Sequence, residues 1–222
     1  MLERVLEPEA MDTPEEAHDY DAMDHSEVNA RFVAEFLAIH GPARGGEVLD
    51  VGTGPGRIPI ALCQADPLVS VLGVDLAEQM LAKARVNVAA AGLSARIRFE
   101  RVDAKGLPYP TGSFEAVVSN TIIHHIPDPS PALGEMARLV SAGGTLFVRD
   151  LRRPADQADL DRLVALYAGQ EAPEARALFS ASLNAALRVE EVRDRIRALG
   201  LDPAGVTMSS DRHWTWAWRR PG

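Results

Sequence analysis

Three glycines in the stretch VLDVGTGPGRIPIAL, residues 48 to 62, are spaced G-x-G-x-G, with Asp50 two places before the first. Gly52, Gly54 and Gly56 can take positive φ and leave no side chain between the backbone and a bound group. A turn of this kind between a strand and a helix lets a ligand lie against main chain. The dinucleotide fingerprint G-x-G-x-x-G needs a further glycine where Arg57 stands, and no G-K-[ST] follows, so neither a nicotinamide site nor a P-loop is spelled out. Taken alone, the stretch reads equally as a plain tight turn.

The polar residues that come after it give the turn a chemical context. Asp75 closes the apolar run VSVLGVD, Asp103 follows the next run in RVDAKGLPYP, and Asn120 follows another in FEAVVSNTIIHHIPDP. Asp75 stands about 20 residues beyond the glycines, where a carboxylate can accept from both hydroxyls of a ribose. Each acid by itself could be a helix cap or a turn residue. Arriving one after another along a single sheet edge, they make one binding site.

The elements that must position them alternate between strand and helix. A helix is expected over Ser26–Ile39, behind a Ser26 cap and ended by Gly41-Pro42, with Val28, Phe32, Phe36 and Ile39 at helical spacing. Strands are expected at 47–51, 69–75, 97–102, 114–120 and 145–150. Helices fall at 58–64, at 77–91 and from Ser130-Pro131 to Val140. This order predicts an α/β fold with a doubly wound, mostly parallel, Rossmann-like sheet and right-handed crossovers. After Asp150 come two helices within 155–187, a third over 189–199, and two β-like runs at 205–209 and 213–219 that are close enough to pair antiparallel. Seven strands result, with an antiparallel C-terminal hairpin. The expected organisation is one domain over 1–222. It has a helical lid at 1–40, a cofactor-binding core at 45–150, a helical insertion at 151–188 that caps the acceptor, and the late helix and hairpin at 189–222.

Composition narrows the function. A net charge of −9 disfavours a surface built to neutralise nucleic-acid phosphates. No apolar run approaches the roughly 18 residues a membrane helix needs, and the acidic start MLERVLEPEAMDTPEE lacks a signal-peptide core. The single cysteine, Cys63, cannot form an internal disulfide. A cytoplasmic protein without a membrane partner is expected.

At this point the chain resembles the class I S-adenosylmethionine-dependent methyltransferases of the small, free-standing bacterial kind. VLDVGTGPG resembles their first motif, GVD their ribose acid and VDAKGLPYP their adenine-side segment. SNTIIHHIPDP with LGEMARLVSAGGTLFVRD resembles their fourth and fifth strands with the helix between. The resemblance implies S-adenosyl-L-methionine as cofactor, S-adenosyl-L-homocysteine as product, and methyl transfer by in-line displacement. It implies that Gly52 and Gly54, with Thr53 and Gly56, line the methionine moiety, and that Asp50 holds the turn or reaches the amino group through water. Asp75 would take the ribose diol and Leu76 would pack near the adenine. Asp103, with the Ala104 backbone N–H nearby, would face the adenine amino group. Asn120 would meet the methionine ammonium through its main-chain carbonyl. Tyr20, in HDYDAMDHSEVN, resembles a lid tyrosine, and either it or Met23 is expected to close over the sulfonium.

His124 and His125, just past the fourth strand, are the candidates for a general base; the other reading is that both pack or support. No metal site is expected of them, since they are poorly spaced and no cysteine or carboxylate cluster joins them in the sequence. The absence of [DN]-P-P-[YFW], of a Cys-Pro nucleophile and of further cysteines trims several acceptor classes, leaving a small-molecule substrate, or a protein or RNA read by a partner. The acidic run Glu15, Glu16, Asp19, Asp21 and Asp24 reads as a solvated helix face or a cation-favouring lid. Arg149, Arg152 and Arg153 read as anion ligands, or as partners of that acidic lid. Trp214, Trp216 and Trp218 alternate on one strand face, either as core or as a homodimer surface. Two other function classes share these motifs: a noncatalytic cofactor-binding sensor, and a same-fold enzyme with other chemistry.

Overall fold

The computed structural model describes residues 2–8, 12–22, 25–41 and 44–222. Met23, Asp24 and Pro42 lie outside them. Seven strands form one sheet: β1 (Glu47–Val51), β2 (Ser70–Asp75), β3 (Ile97–Arg101), β4 (Phe114–Asn120), β5 (Val140–Leu151), β6 (Val206–Met208) and β7 (His213–Arg219). Their order is β3-β2-β1-β4-β5-β7-β6. β1 runs parallel to both β2 and β4, and β2 parallel to β3, while β6 and β7 pair antiparallel. The α/β architecture and the C-terminal antiparallel pair are those the sequence implies. The strand order reverses between β1 and β4, which is where an open sheet of this type receives its ligand.

The eight helices among the described residues are α1 (Pro14–Ala22), α2 (Ser26–His40), α3 (Arg57–Ala65), α4 (Glu78–Ala90), α5 (Ser130–Leu139), α6 (Gln157–Ala168), α7 (Pro173–Ala185) and α8 (Val189–Ala198). Most bounds fall within a residue or two of the expected ones. Ser26 is the first residue of α2 rather than its cap, a place taken by His25. β5 begins at Val140, five residues before the expected Thr145, and takes in the Gly143-Gly144 pair expected to turn, with Gly143 at a φ of 72° within the strand.

The chain divides into two compact units. The larger comprises Ala10–Asn120, Pro131–Val148 and Ala217–Gly222; the smaller comprises Met1–Glu9, Thr121–Ser130 and Arg149–Trp216. In the larger unit, Phe32 and Phe36 of α2, Leu62 of α3 and Phe147 of β5 pack with the strand residues Val48, Val71, Ile97 and Val118. Phe32 meets Phe147 edge-on at 5.0 Å. Within the same unit, α1 has one buried residue, Ala17, set against Ala77, Met80 and the half-buried Tyr20. Its remaining anchors are polar. Asp21 meets Arg57 at 2.7 Å, Lys83 at 3.8 Å and the Asn87 amide at 2.9 Å.

The smaller unit has its own core of Leu151, Leu160, Leu163, Leu183 and Ala186, with Leu2 and Phe179 against it. Residues 2–8, expected to belong to a helical lid, are a non-helical strap fixed to this unit. The Arg4 guanidinium donates to the carbonyls of Ala185, Pro127 and Ile126 at 2.7, 2.7 and 2.9 Å, and the Leu2 carbonyl accepts from Arg188 at 2.8 Å. Trp214 and Trp216 are fully buried, so these two side chains are core and cannot form a dimer surface.

Candidate cofactor site and a buried histidine cluster

The candidate cofactor residues all belong to the larger unit. β1 delivers Asp50 and then turns sharply: the Gly52 and Thr53 N–H groups both donate to the Val74 carbonyl at the end of β2, at 2.8 and 3.0 Å. Gly52, Gly54 and Gly56 have φ of 74°, 52° and 77°, a region that favours glycine. A Cβ on Gly54 would meet nothing within 4 Å, so this peptide is open to an incoming group. A Cβ on Gly56 would press on Ala84 Cβ and Phe99 Cζ, each at 3.1 Å, so the third glycine serves packing of the turn.

Asp75 grips the same turn. Its Oδ2 accepts from Gly54 N–H at 2.8 Å and its Oδ1 from Ala77 N–H at 2.9 Å, at the head of α4. The helix-cap reading of Asp75 therefore holds, and a carboxylate with two oxygens keeps further acceptor capacity beyond these two bonds. Burial pushes its pKa up against those two N–H donors. Asp50 is buried more deeply. Desolvation raises its carboxyl to about 7; the Thr53 side chain opposes that rise and the nearby Asp75 charge adds to it. Beyond this mutual contact, Asp50 Oδ2 and Thr53 Oγ1 have no hydrogen-bond partner, an arrangement that is costly unless a ligand or water completes it. Leu76 follows Asp75, and its carbonyl accepts from Arg101 at 2.9 Å. Asp103 lies just beyond β3 and is held below the usual carboxylate range: burial opposes this as the largest single cause, but the Lys105 backbone N–H at 2.9 Å and ammonium at 3.1 Å together outweigh it. Ala104 sits in that turn, and Asn120 ends β4. Within the larger unit, strand ends thus present Asp50, Asp75, Asp103 and Asn120 in sequence.

The smaller unit holds the two histidines in a short 3-10 turn, Ile123–His125. It is entered through Thr121, whose φ of 59° is a strained value for a β-branched residue. His124 is buried and engaged on both sides: Nδ1 lies 2.6 Å from Asp150 Oδ1 and Nε2 lies 3.3 Å from Glu7 Oε1. Asp150 also accepts from the backbone N–H groups of Ile123 and Leu151 at 2.5 Å and of His124 at 3.1 Å. Burial disfavours the His124 cation, but the Asp150 and Glu7 carboxylates outweigh it and lift the imidazole to about 9. His125 goes the other way, to about 4, through burial and the adjacent His124 charge. Its Nδ1 lies 3.1 Å from the same Glu7 oxygen. The expectation that no carboxylates join the histidines is overturned: Glu7 and Asp150 both do.

The comparisons with known proteins now bear on this geometry. Residues 48–144 match the model of a methyltransferase domain family. A demethylmenaquinone methyltransferase from Deinococcus radiodurans is 36% identical over 197 residues, covering 81% of this chain and 79% of the relative. A phosphatidylethanolamine N-methyltransferase from Cereibacter sphaeroides is 36% identical over 111 residues, but that match spans only about half of either chain, 50% and 53%. Among solved structures, a putative S-adenosyl-L-methionine-dependent methyltransferase from Methanococcus maripaludis superposes with a TM-score of 0.77 over 98% of both chains at 18% identity, a likeness of fold.

The chain belongs to the class I S-adenosylmethionine-dependent methyltransferases. Enzymes of this family use S-adenosylmethionine as methyl donor, and the strand-end acids and open glycine turn are the features of this methyltransferase that suit such a donor. None of its described helices is long and apolar enough to cross a membrane.

The arginines at the end of β5 and just beyond it make side-chain contacts within the smaller unit. Arg149 is buried and donates to Thr215 Oγ1 at 2.9 Å. Arg152 pairs with Asp159 at 2.7 Å, and Arg153 pairs with Glu191 and donates to the Ala186 carbonyl. The partners of Arg152 and Arg153, and Thr215 beside Arg149, lie in the smaller unit. The sequence reading missed Glu7 and Asp150. Asp150 ends an apolar strand, a position that could have marked it, whereas Glu7 is one acid among several in an acidic start and carries no signal.

Proposed function

We propose that this methyltransferase binds S-adenosyl-L-methionine with the strand ends of its larger unit and methylates a small organic acceptor, releasing S-adenosyl-L-homocysteine. The observation that carries the reading is the pair of buried polar atoms, Asp50 Oδ2 and Thr53 Oγ1, that have no partner beyond each other beside a glycine turn open at Gly54. A cationic amino group satisfies such a carboxylate and favours its ionised form. Asp50 is thereby assigned to the methionine ammonium, directly or through water, together with the Asn120 main-chain carbonyl. Gly52, Thr53, Gly54 and Gly56 shape the backbone that the methionine moiety follows. Asp75 takes the ribose hydroxyls while it keeps its grip on Gly54, so the sugar and the turn are aligned by one side chain. Leu76, Asp103 and the Ala104 N–H hold the adenine, and Tyr20 of α1 belongs to the lid. The bound donor supplies an electrophilic methyl group on a sulfonium. The protein's contribution is positioning and exclusion of water.

His124 is assigned a supporting role, because both its ring nitrogens face carboxylates. The name of the Deinococcus relative supports a quinol-like acceptor as the first compound to test; a cytoplasmic setting is proposed with it, and the net charge of −9 argues against a nucleic-acid partner. Calorimetry with S-adenosylhomocysteine and with NAD tests the cofactor assignment. S-adenosylhomocysteine should bind and NAD should bind far more weakly. In Asp75→Ala, loss of a charged acceptor worth about 1.5–3 kcal/mol should weaken binding roughly ten-fold or more. An unchanged dissociation constant in a folded Asp75→Ala variant would remove Asp75 from the site.

A further inference from the structure

We propose that the smaller unit carries a site for one divalent transition-metal ion of the zinc type, ligated by Glu7 Oε1, His124 Nε2 and His125 Nδ1. The three ligand atoms lie within 4.8 Å of one another. Glu7 Oε1 is 3.3 Å from His124 Nε2 and 3.1 Å from His125 Nδ1. Nitrogen and oxygen ligands bound tetrahedrally at about 2.0–2.1 Å from an ion stand roughly 3.3 Å from each other. The cluster therefore has the spacing of a coordination shell before any ion is placed in it.

The surroundings point the same way. Asp150 Oδ1 lies 2.6 Å from His124 Nδ1 and accepts its hydrogen bond, which leaves Nε2 directed at Glu7 and able to ligate an ion that displaces its proton. A carboxylate behind the histidine fixes the tautomer and ring orientation of a metal ligand and raises its basicity. Asp150 is itself held by three backbone N–H groups, from Ile123, His124 and Leu151. The Ser182 hydroxyl reaches Glu7 at 3.2 Å and orients the third ligand. The two imidazole rings lie with centroids 4.1 Å apart, so both nitrogens can serve one centre. Two imidazoles and one carboxylate suit zinc, and three protein ligands leave a fourth position for water. The two carboxylates supply the charge that a dication requires. Bound there, the ion would clamp the strap of residues 2–8 to the turn after β4.

The test uses the full-length, tag-free protein stripped with a chelator and titrated with Zn²⁺ or Co²⁺. One equivalent should bind. Co²⁺ should give visible ligand-field absorption of a low-coordinate site, and Zn²⁺ should raise the thermal midpoint. Glu7→Gln and His125→Asn should each abolish all three signals, while Asp150→Asn should weaken binding by about 10–100-fold. Cys63→Ser should change nothing. Circular dichroism identifies any variant that fails to fold; Glu7→Gln, at the edge of the cluster, then decides the matter. The proposal is overturned if the folded wild type binds less than one equivalent at micromolar Zn²⁺, or if binding survives Glu7→Gln combined with His125→Asn. Either outcome would leave a proton, rather than a metal ion, shared between His124 and its carboxylates. These readouts do not depend on methyl transfer and so stand apart from the cofactor assignment.

Discussion

Replacing Asp50 with asparagine should stabilise the unliganded protein and weaken its hold on the cofactor, and the stability gain should depend on pH. Burial raises the Asp50 carboxyl from 3.8 to about 7. The folded protein keeps a proton there up to about pH 7, whereas the unfolded chain releases it near the ordinary value. The associated stability is therefore fully present below about pH 4 and is lost as pH rises toward 7. Roughly three pKa units at about 1.4 kcal/mol each put the total near 4 kcal/mol, an upper figure for a single buried group. Asparagine cannot ionise in either state. Relative to wild type, Asp50→Asn should gain about 2 kcal/mol at pH 5 and about 4 kcal/mol at pH 8. Any cost of the amide itself is the same at both values and drops out of the comparison. Urea unfolding at the two pH values, with chelator present, measures it. The same carboxylate should ionise when it meets the methionine ammonium, so wild-type affinity for S-adenosylhomocysteine should rise through about pH 7 and then level off, while the variant should bind more weakly and show no such rise. Equal stability differences at pH 5 and pH 8 would refute the buried-acid argument. A flat wild-type binding profile would refute the link to the ammonium.

Gly56→Ala places a Cβ 3.1 Å from Ala84 Cβ and Phe99 Cζ at a φ of 77°. Strain and overpacking should cost about 1–3 kcal/mol, seen as a fall in thermal midpoint of roughly 3–10 °C by calorimetry. With its folded pKa raised to about 9, His124 contributes stability that is fully present below about pH 6.5 and is lost as pH climbs through 9. In chelated protein, His124→Gln should flatten that limb of the denaturation profile, and an unchanged limb would place the titration elsewhere. Residues 12–22 should gain hydrogen-exchange protection when S-adenosylhomocysteine binds, because α1 is held by one buried alanine and by polar pairs of little net worth. Equal protection with and without ligand would make α1 a fixed part of the fold.

What could be read from the sequence is what local chemistry determines. β1, β2 and β4 announce themselves as short apolar runs ending at a glycine, an acid and an amide, and Asp50, Asp75 and Asn120 could be placed because strand ends along one sheet edge converge by topology alone. The bounds of α1 were not legible: the acidic run suggested a solvated helix face within a helical lid, but its one buried residue is Ala17 and an apolar stripe is the signal that fixes a helix's extent. The start of β5 was hidden by Gly143-Gly144, which read as a turn although the strand passes through them. The arginines at 149, 152 and 153 formed a visible group, but sequence could not name Thr215, Asp159 and Glu191 as their partners. The histidine cluster marks the limit most clearly. His124 and His125 are adjacent in the chain, yet their chemistry is decided by Asp150, 26 residues from His124, and by Glu7 in the N-terminal strap. No periodicity or motif spans such separations. A carboxylate on each side of His124 holds a candidate base fixed and favours its charged form, so the pattern HH drew attention to the locus and left its role to the tertiary fold.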